Sequence, residues 1–369
     1  MSEIDDAPTT YVRYHAGIES PPEGEQEAID GIIATMTSES RKVANREGSA
    51  VRASHAKTSG VLKGEFVVHG GLAPELAQGL FARPGRYDAL VRLAQGPGEH
   101  LSDRVSTHRG MSVKLFGVAG DKLDGHTQDT QDFVLATGPV FPDPDAASFL
   151  KSMRMIEKHV DNSETAKAAV STAARMANTV VKAVTGSDVP VLDFFGHKPL
   201  HPVAESYHSQ AALRFGFYVA KVAIFPTSPE QLALSGKTLD PKSDPNVFRD
   251  ATANYFGTHA ATFEFRVQLC TDLDTMPVED ASKQWPESES PYVTVATLTL
   301  APQNVLSPER VRYVEEVLSF RPAHSLVEHR PLGSLMRARL QVYTALSAFR
   351  HGHNQVTETE PTGLDAIPD

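Results

Sequence analysis

What most constrains the fold of this chain is a series of short runs rich in β-branched and apolar residues, punctuated by Gly and Pro. Val61–His69, Asp88–Ala94, Met111–Phe116 and Phe133–Ala136 form one group; Leu213–Phe225, Thr262–Leu269 and Val293–Leu300 form a second. Runs of this length and composition read as strands. No βαβ alternation is visible, so a parallel sheet, which needs a crossover between each pair of strands, is disfavoured. Between the groups, Ala146–Val184 is rich in Ala, Met and Lys at helical spacing and is bounded by Pro144 and Gly186, with Asp145 as a cap. After the last strand, Pro308–Leu318 is predicted helical, with Ser307 as N-cap and Pro in the first turn. Strands, helical insert, strands, then helices: the order predicts an α+β chain built on an antiparallel sheet or barrel.

Composition narrows the function. At 369 residues the chain has room for one large domain or two modest ones. A formal charge of −11 and a pI near 5.8 argue against nucleic acid and anionic membrane as partners. The single cysteine, Cys270, excludes a disulfide framework and any cysteine-based metal cage, and its alternating context A-T-F-E-F-R-V-Q-L-C reads as a small buried strand residue. The start, M-S-E-I-D-D-A-P-T-T, lacks signal-peptide character, and no apolar run reaches membrane-spanning length, so a cytoplasmic protein is expected. Residues 1–45 are polar and mixed and read as an N-terminal arm with one helix, Glu25–Met36. The domain proper is expected over 46–369, with the helical insert at 145–186.

Near the end, Ser334–Arg350 carries Leu335, Leu340, Val342, Leu346 and Phe349 at mixed three- and four-residue spacing, uninterrupted by Gly or Pro. That is a helix. Arg339 and Tyr343, four apart, share one face of it. A guanidinium in contact with a phenol favours the ionised form, and a phenolate can ligate ferric haem iron. The same two residues also fit a core tyrosine beside a solvated arginine. Upstream, His55 and Arg52 precede the first strand, Arg92 sits within A-L-V-R-L-A-Q, and Arg109 opens another strand. Each alone fits a structural role.

Taken in order, they carry a resemblance. R-x-x-H-A-K at Arg52–Lys57, V-R-L at Val91–Leu93, H-R-G-M-S-V-K-L-F, Q-W-P at Gln284–Pro286, L-S-F-R-P, and R-P-L-G-S-L-M-R-A-R-L-Q-V-Y follow one another collinearly. In that order the chain resembles the haem catalase superfamily, in its short, catalase-related peroxidase branch. The resemblance implies a catalase-like antiparallel β-barrel with a helical insert and C-terminal helices, without the C-terminal domain of large catalases. It implies haem b, with Tyr343 as the iron ligand and Arg339 beside it. His55 would be the distal base, and Arg52, Arg92 and Arg350 would hold the two propionates. Phe149 and Phe141 would lie close to the haem on the distal side.

Departures from the family pattern bear on activity. The family's N-N-T-P-x-F becomes A-T-G-P-V-F at Ala136–Phe141, so the distal amide is missing and Thr137 is the only nearby side-chain donor. The serine that hydrogen-bonds the distal histidine is Ala94, and the apolar residue before that histidine is Ser54. Loss of the amide disfavours fast dismutation. The expectation is therefore a haem peroxidase using organic hydroperoxides or hydrogen peroxide with a small external reductant, with weak catalase activity left open. Ser54 motivates an alternative, hydroperoxide rearrangement of the allene oxide synthase kind. A haem-binding protein without turnover is the reading from another class. Whether the chain forms a homo-oligomer is open.

Overall fold

The computed structural model describes residues 11–157, 163–186 and 188–369. Among these residues nine strands form the sheet: β1 (Thr58–Val68), β2 (Gly85–Gln95), β3 (Arg109–Phe116), β4 (Thr130–Thr137), β5 (Tyr207–His208), β6 (Leu213–Phe215), β7 (Tyr218–Pro226), β8 (Ala261–Leu269) and β9 (Val293–Leu300). Every pairing is antiparallel. The order β5-β4-β3-β2-β1-β9-β8-β7-β6, with β5 also paired to β7, closes eight strands into a barrel and leaves β6 as a hairpin partner of β7. Closure removes the free edges that an open sheet would expose.

Alternation along each strand divides the barrel into two faces. Val91 and Leu93 of β2, Met111, Val113 and Leu115 of β3, and Phe133 and Leu135 of β4 point inward. They join a core of aromatic rings, with Phe81 stacked on Phe265 at 5.4 Å between centroids. Burying each such side chain contributes about 1.5–3 kcal/mol. The intervening residues, including Arg92, Ala94, Gly110 and Ala136, lie on the outer face, where the functional groups collect.

The run expected as one strand over Leu213–Phe225 is two strands. Gly216, at φ +61°, turns the chain between β6 and β7, and a Cβ there would lie 2.2 Å from the Gln78 side-chain oxygen. Cys270 is buried, as expected, at the end of β8.

Among the described residues, eight α-helices surround the barrel: α1 (Glu25–Glu47), α2 (Ala146–Glu157), α3 (Glu164–Thr185), α4 (Pro190–Gly196), α5 (Pro229–Leu232), α6 (Val247–Phe256), α7 (Pro308–Arg312) and α8 (Ser334–Asn354). The expected insert is α2–α4, extended by α4 beyond residue 186. Asp145 accepts from the Ser148 N–H, capping α2. The segment expected as an arm is part of the body: α1 runs through residue 45, and Ile29, Ile32 and Met36 pack with Ala338 and Val342 of α8. Arg337 of α8 pairs with Glu19 and Glu25 on the same segment. No helix among the described residues is long and apolar enough to cross a membrane.

The helix predicted over Pro308–Leu318 begins as expected, with Ser307 accepting from the Arg310 N–H. It then widens into a π-helical turn at Tyr313–Val317. Two arginines from elsewhere in the chain donate to the carbonyls of this turn. Arg52 donates to the carbonyls of Val314, Glu315 and Leu318. Arg350 donates to those of Glu315, Glu316 and Leu318. These carbonyls lie at the C-terminal end of the helix, where its own ladder leaves them unpaired.

Candidate active site

The site lies on the outer face of β2, β3 and β4, and its first element is the loop carrying His55. His55 has φ 56°, a left-handed conformation. Such a conformation costs a side-chain-bearing residue about 1–3 kcal/mol and persists only where the surroundings impose it. Here they do. The His55 N–H donates to the Gly96 carbonyl and the Ala56 N–H to the Pro97 carbonyl. From below, Arg92 Nη2 donates to the carbonyls of His55 (2.7 Å) and Ala56 (3.1 Å), while its Nε donates to Thr58 Oγ1.

The imidazole lies directly on Gly110, where an added Cβ would come within 2.8 Å of Nδ1. Gly110 pairs with Ala94 on one side and Ala136 on the other. Paired residues point to the same face, so His55 stands over a methyl, a glycine and a methyl. Its Nδ1 is buried and has no hydrogen-bond partner among the described residues. Burial, first, and then the charges of His108, Arg92 and Arg339 hold the imidazole well below its ordinary pKa. At neutral pH it is an uncharged base.

Arg52, Arg92 and Arg350 lie close enough for their charges to act on one another. Each is pulled down by burial first and then by its arginine neighbours, Arg52 and Arg350 to about 9 and Arg92 to about 10. Among the described residues their hydrogen bonds go to carbonyls and hydroxyls, and Glu315 and Glu358 act on them only at longer range. Three clustered cations without a paired carboxylate are suited to a dianionic ligand.

Arg92 also holds the His55 loop. Arg92→Leu is therefore expected to strand two carbonyls and lower stability by roughly 2 kcal/mol or more, as well as weakening anion retention. A urea midpoint equal to wild type would show that the loop does not depend on it.

On the facing helix, Arg339 Nη2 donates to Tyr343 Oη at 3.2 Å and to the Val134 carbonyl of β4. The guanidinium also lies over the Tyr343 ring at 5.2 Å. One residue thus ties the helix to the sheet beside Ala136. Phe141 and Phe149 meet edge to face at 5.3 Å and pack against Leu335 and Met336 at the start of α8.

Two sequence expectations change. Thr137 lies on the opposite face of β4 from Ala136, and its hydroxyl accepts the Arg109 N–H at 3.0 Å. It does not face His55, and no side-chain donor replaces the missing amide at that strand position. The Ser54 hydroxyl donates to the Gly96 carbonyl, turned into its own loop. The sequence motive for a rearrangement chemistry is thereby weakened.

The sequence also missed His108. Its ring lies 5.1 Å from that of His55, at 84° to it, and stacks on Phe194 of α4 at 3.9 Å. The available signal was a histidine two residues before Gly110, hence on the same face.

No family model and no curated protein matches the chain. Among solved structures, it superposes on a fungal catalase with TM-score 0.58 and 18% identity, over 95% of this chain and 67% of that one. It superposes on catalase A from Saccharomyces cerevisiae with TM-score 0.55 and 16% identity, over 97% of this chain and 72% of that one. The chain has the catalase fold.

Proposed function

We propose that this protein is a haem-dependent peroxidase, reducing organic hydroperoxides or hydrogen peroxide with a small external electron donor. The observation that carries the reading is His55, a strained, uncharged imidazole on Gly110 between Ala94 and Ala136, with the Arg339–Tyr343 pair on the facing helix. The donor set fits haem. Tyr343 Oη would hold the iron, and Arg52, Arg92 and Arg350 would hold the two carboxylates. Phe141 and Phe149 would keep water from the distal side.

Haem, when bound, supplies the iron centre for a two-electron reduction: ROOH, two electrons and two protons give ROH and water. His55 takes the proton from the hydroperoxide oxygen and returns it to the leaving oxygen, a role worth ~10²–10⁴-fold in rate. Neither Ala94 nor Ala136 can hydrogen-bond a second peroxide, which is why peroxidation is favoured over dismutation.

An absorption spectrum of the purified protein, before and after hydrogen peroxide and an alkyl hydroperoxide, tests the reading. A Soret band that responds to either peroxide, with donor oxidation, supports it. Absence of haem binding, or a band that neither peroxide alters, sinks it. The pH profile carries a further expectation. His55 must be neutral to accept a proton, and its pKa is depressed. The acid limb of kcat/KM should therefore lie well below the ordinary imidazole value of about 6.5. A limb at or above that value would assign the base elsewhere.

A further inference from the structure

The Ala94 side chain offers His55 no hydroxyl, so the polar support of the ring from β2 is limited to a backbone hydrogen bond. We propose that His108 is a positioning residue for His55, holding the imidazole by edge-to-face packing on the face away from the Ala94 main chain, whose backbone hydrogen bond alone leaves the ring free to tilt. The inference rests on the peroxidase reading for its kinetic consequence, but its geometry is independent of it. Ring centroids 5.1 Å apart at 84° are within the range of favourable T-shaped pairs.

His108 is itself clamped. Its far face stacks on Phe194 at 3.9 Å and 17°, and its main-chain N–H donates to the Phe194 carbonyl. Each histidine also has a glycine cleared beneath it. A Cβ on Gly110 would meet the His55 ring at 2.8 Å, and one on Gly96 would meet His108 Cε1 at 2.8 Å. No hydrogen bond joins the two rings, so the coupling is one of packing. Phe194 belongs to α4, so the helical insert positions the proton-handling group from outside the barrel.

The groups around the pair are charged. His55 faces His108, Arg92 of β2 and Arg339 of α8. His108 faces Arg109, Asp193 of α4 and His197, and is lowered to about 4, chiefly by burial. Both rings are thus neutral at pH 7, and the packing contact is between uncharged imidazoles.

The experiment compares His108→Ala, His108→Phe and Phe194→Ala. In the full-length chain prepared without haem, NMR titration of selectively labelled histidines reads the His55 pKa. In the haem-loaded protein, kcat/KM is read with an alkyl hydroperoxide. Removing the ring admits water over His55, so His108→Ala and Phe194→Ala should move its pKa up towards the ordinary value. They should also lower kcat/KM by roughly 10-fold to 10²-fold through misplacement of the base. His108→Phe, which keeps a ring against Phe194, should retain a depressed His55 pKa and most of the rate. The proposal is overturned if His108→Ala leaves both readouts unchanged, or if His108→Phe is as impaired as His108→Ala, which would mean that a ring nitrogen is the active feature. A wild-type protein that consumes no hydroperoxide would instead sink the peroxidase reading, while the titration still reports on the packing.

Discussion

Tyr343→Phe is expected to give a folded protein that retains little haem. The ring is half-buried and loses only its oxygen, so the packing of α8 on α1 and α2 is preserved. Arg339 loses one of its acceptors and keeps the Val134 carbonyl, so the cost in stability should stay near 1 kcal/mol. The cost in cofactor retention should be far larger, because the substitution removes the one oxygen proposed to hold the iron, the Oη that accepts from Arg339. The ratio of Soret to protein absorbance, set beside a urea midpoint, separates the two effects. An unchanged ferric spectrum at full occupancy would show that Tyr343 is not the ligand and would take most of the functional reading with it.

The barrel was legible in the sequence because its strands are short, β-branched and closed by Gly or Pro, patterns that arise from local chemistry. The same is true of the Arg339–Tyr343 spacing, which needs only the helical repeat, and of the Ser307 cap. What could not be read has causes distant in sequence. The π-helical turn at Tyr313–Val317 meets Arg52, more than 260 residues upstream, and Arg350 on another helix, contacts that no local pattern signals. Thr137 was misassigned because a strand position one residue away faces the other side, and nothing local says which of Ala136 and Thr137 faces outward. His108 acquires its place from Gly96 and Phe194, two residues contributed by two other segments. The small residues at Ala94, Gly110 and Ala136 were visible as departures, yet only the pairing register shows that they form one row beneath His55.

That row sets up the largest expected change in activity. His55→Ala should lower hydroperoxide turnover by ~10²–10⁴-fold through loss of the proton-transferring group. The strained φ of residue 55 is imposed by Gly96 and Arg92, whose bonds are to its backbone, so the loop should survive the substitution. Restoring an amide tests the complementary half of the argument. Ala136 pairs with Gly110 under the imidazole, so Ala136→Asn places a hydrogen-bonding group where a second peroxide would be held. Oxygen release relative to donor oxidation should rise. Thr137→Asn is the internal control: its side chain faces the barrel interior and its present hydroxyl accepts the Arg109 N–H. It should leave the ratio unchanged and lower stability, by about 1–3 kcal/mol if the donor is stranded. Oxygen release on an electrode, run beside donor oxidation in one preparation, reads all three variants. If wild-type protein already releases oxygen within about tenfold of the diffusional ceiling of ~10⁸ M⁻¹s⁻¹, the amide is dispensable on this scaffold. Dismutation would then be the main reaction, carried by His55 without help from its neighbours on the sheet.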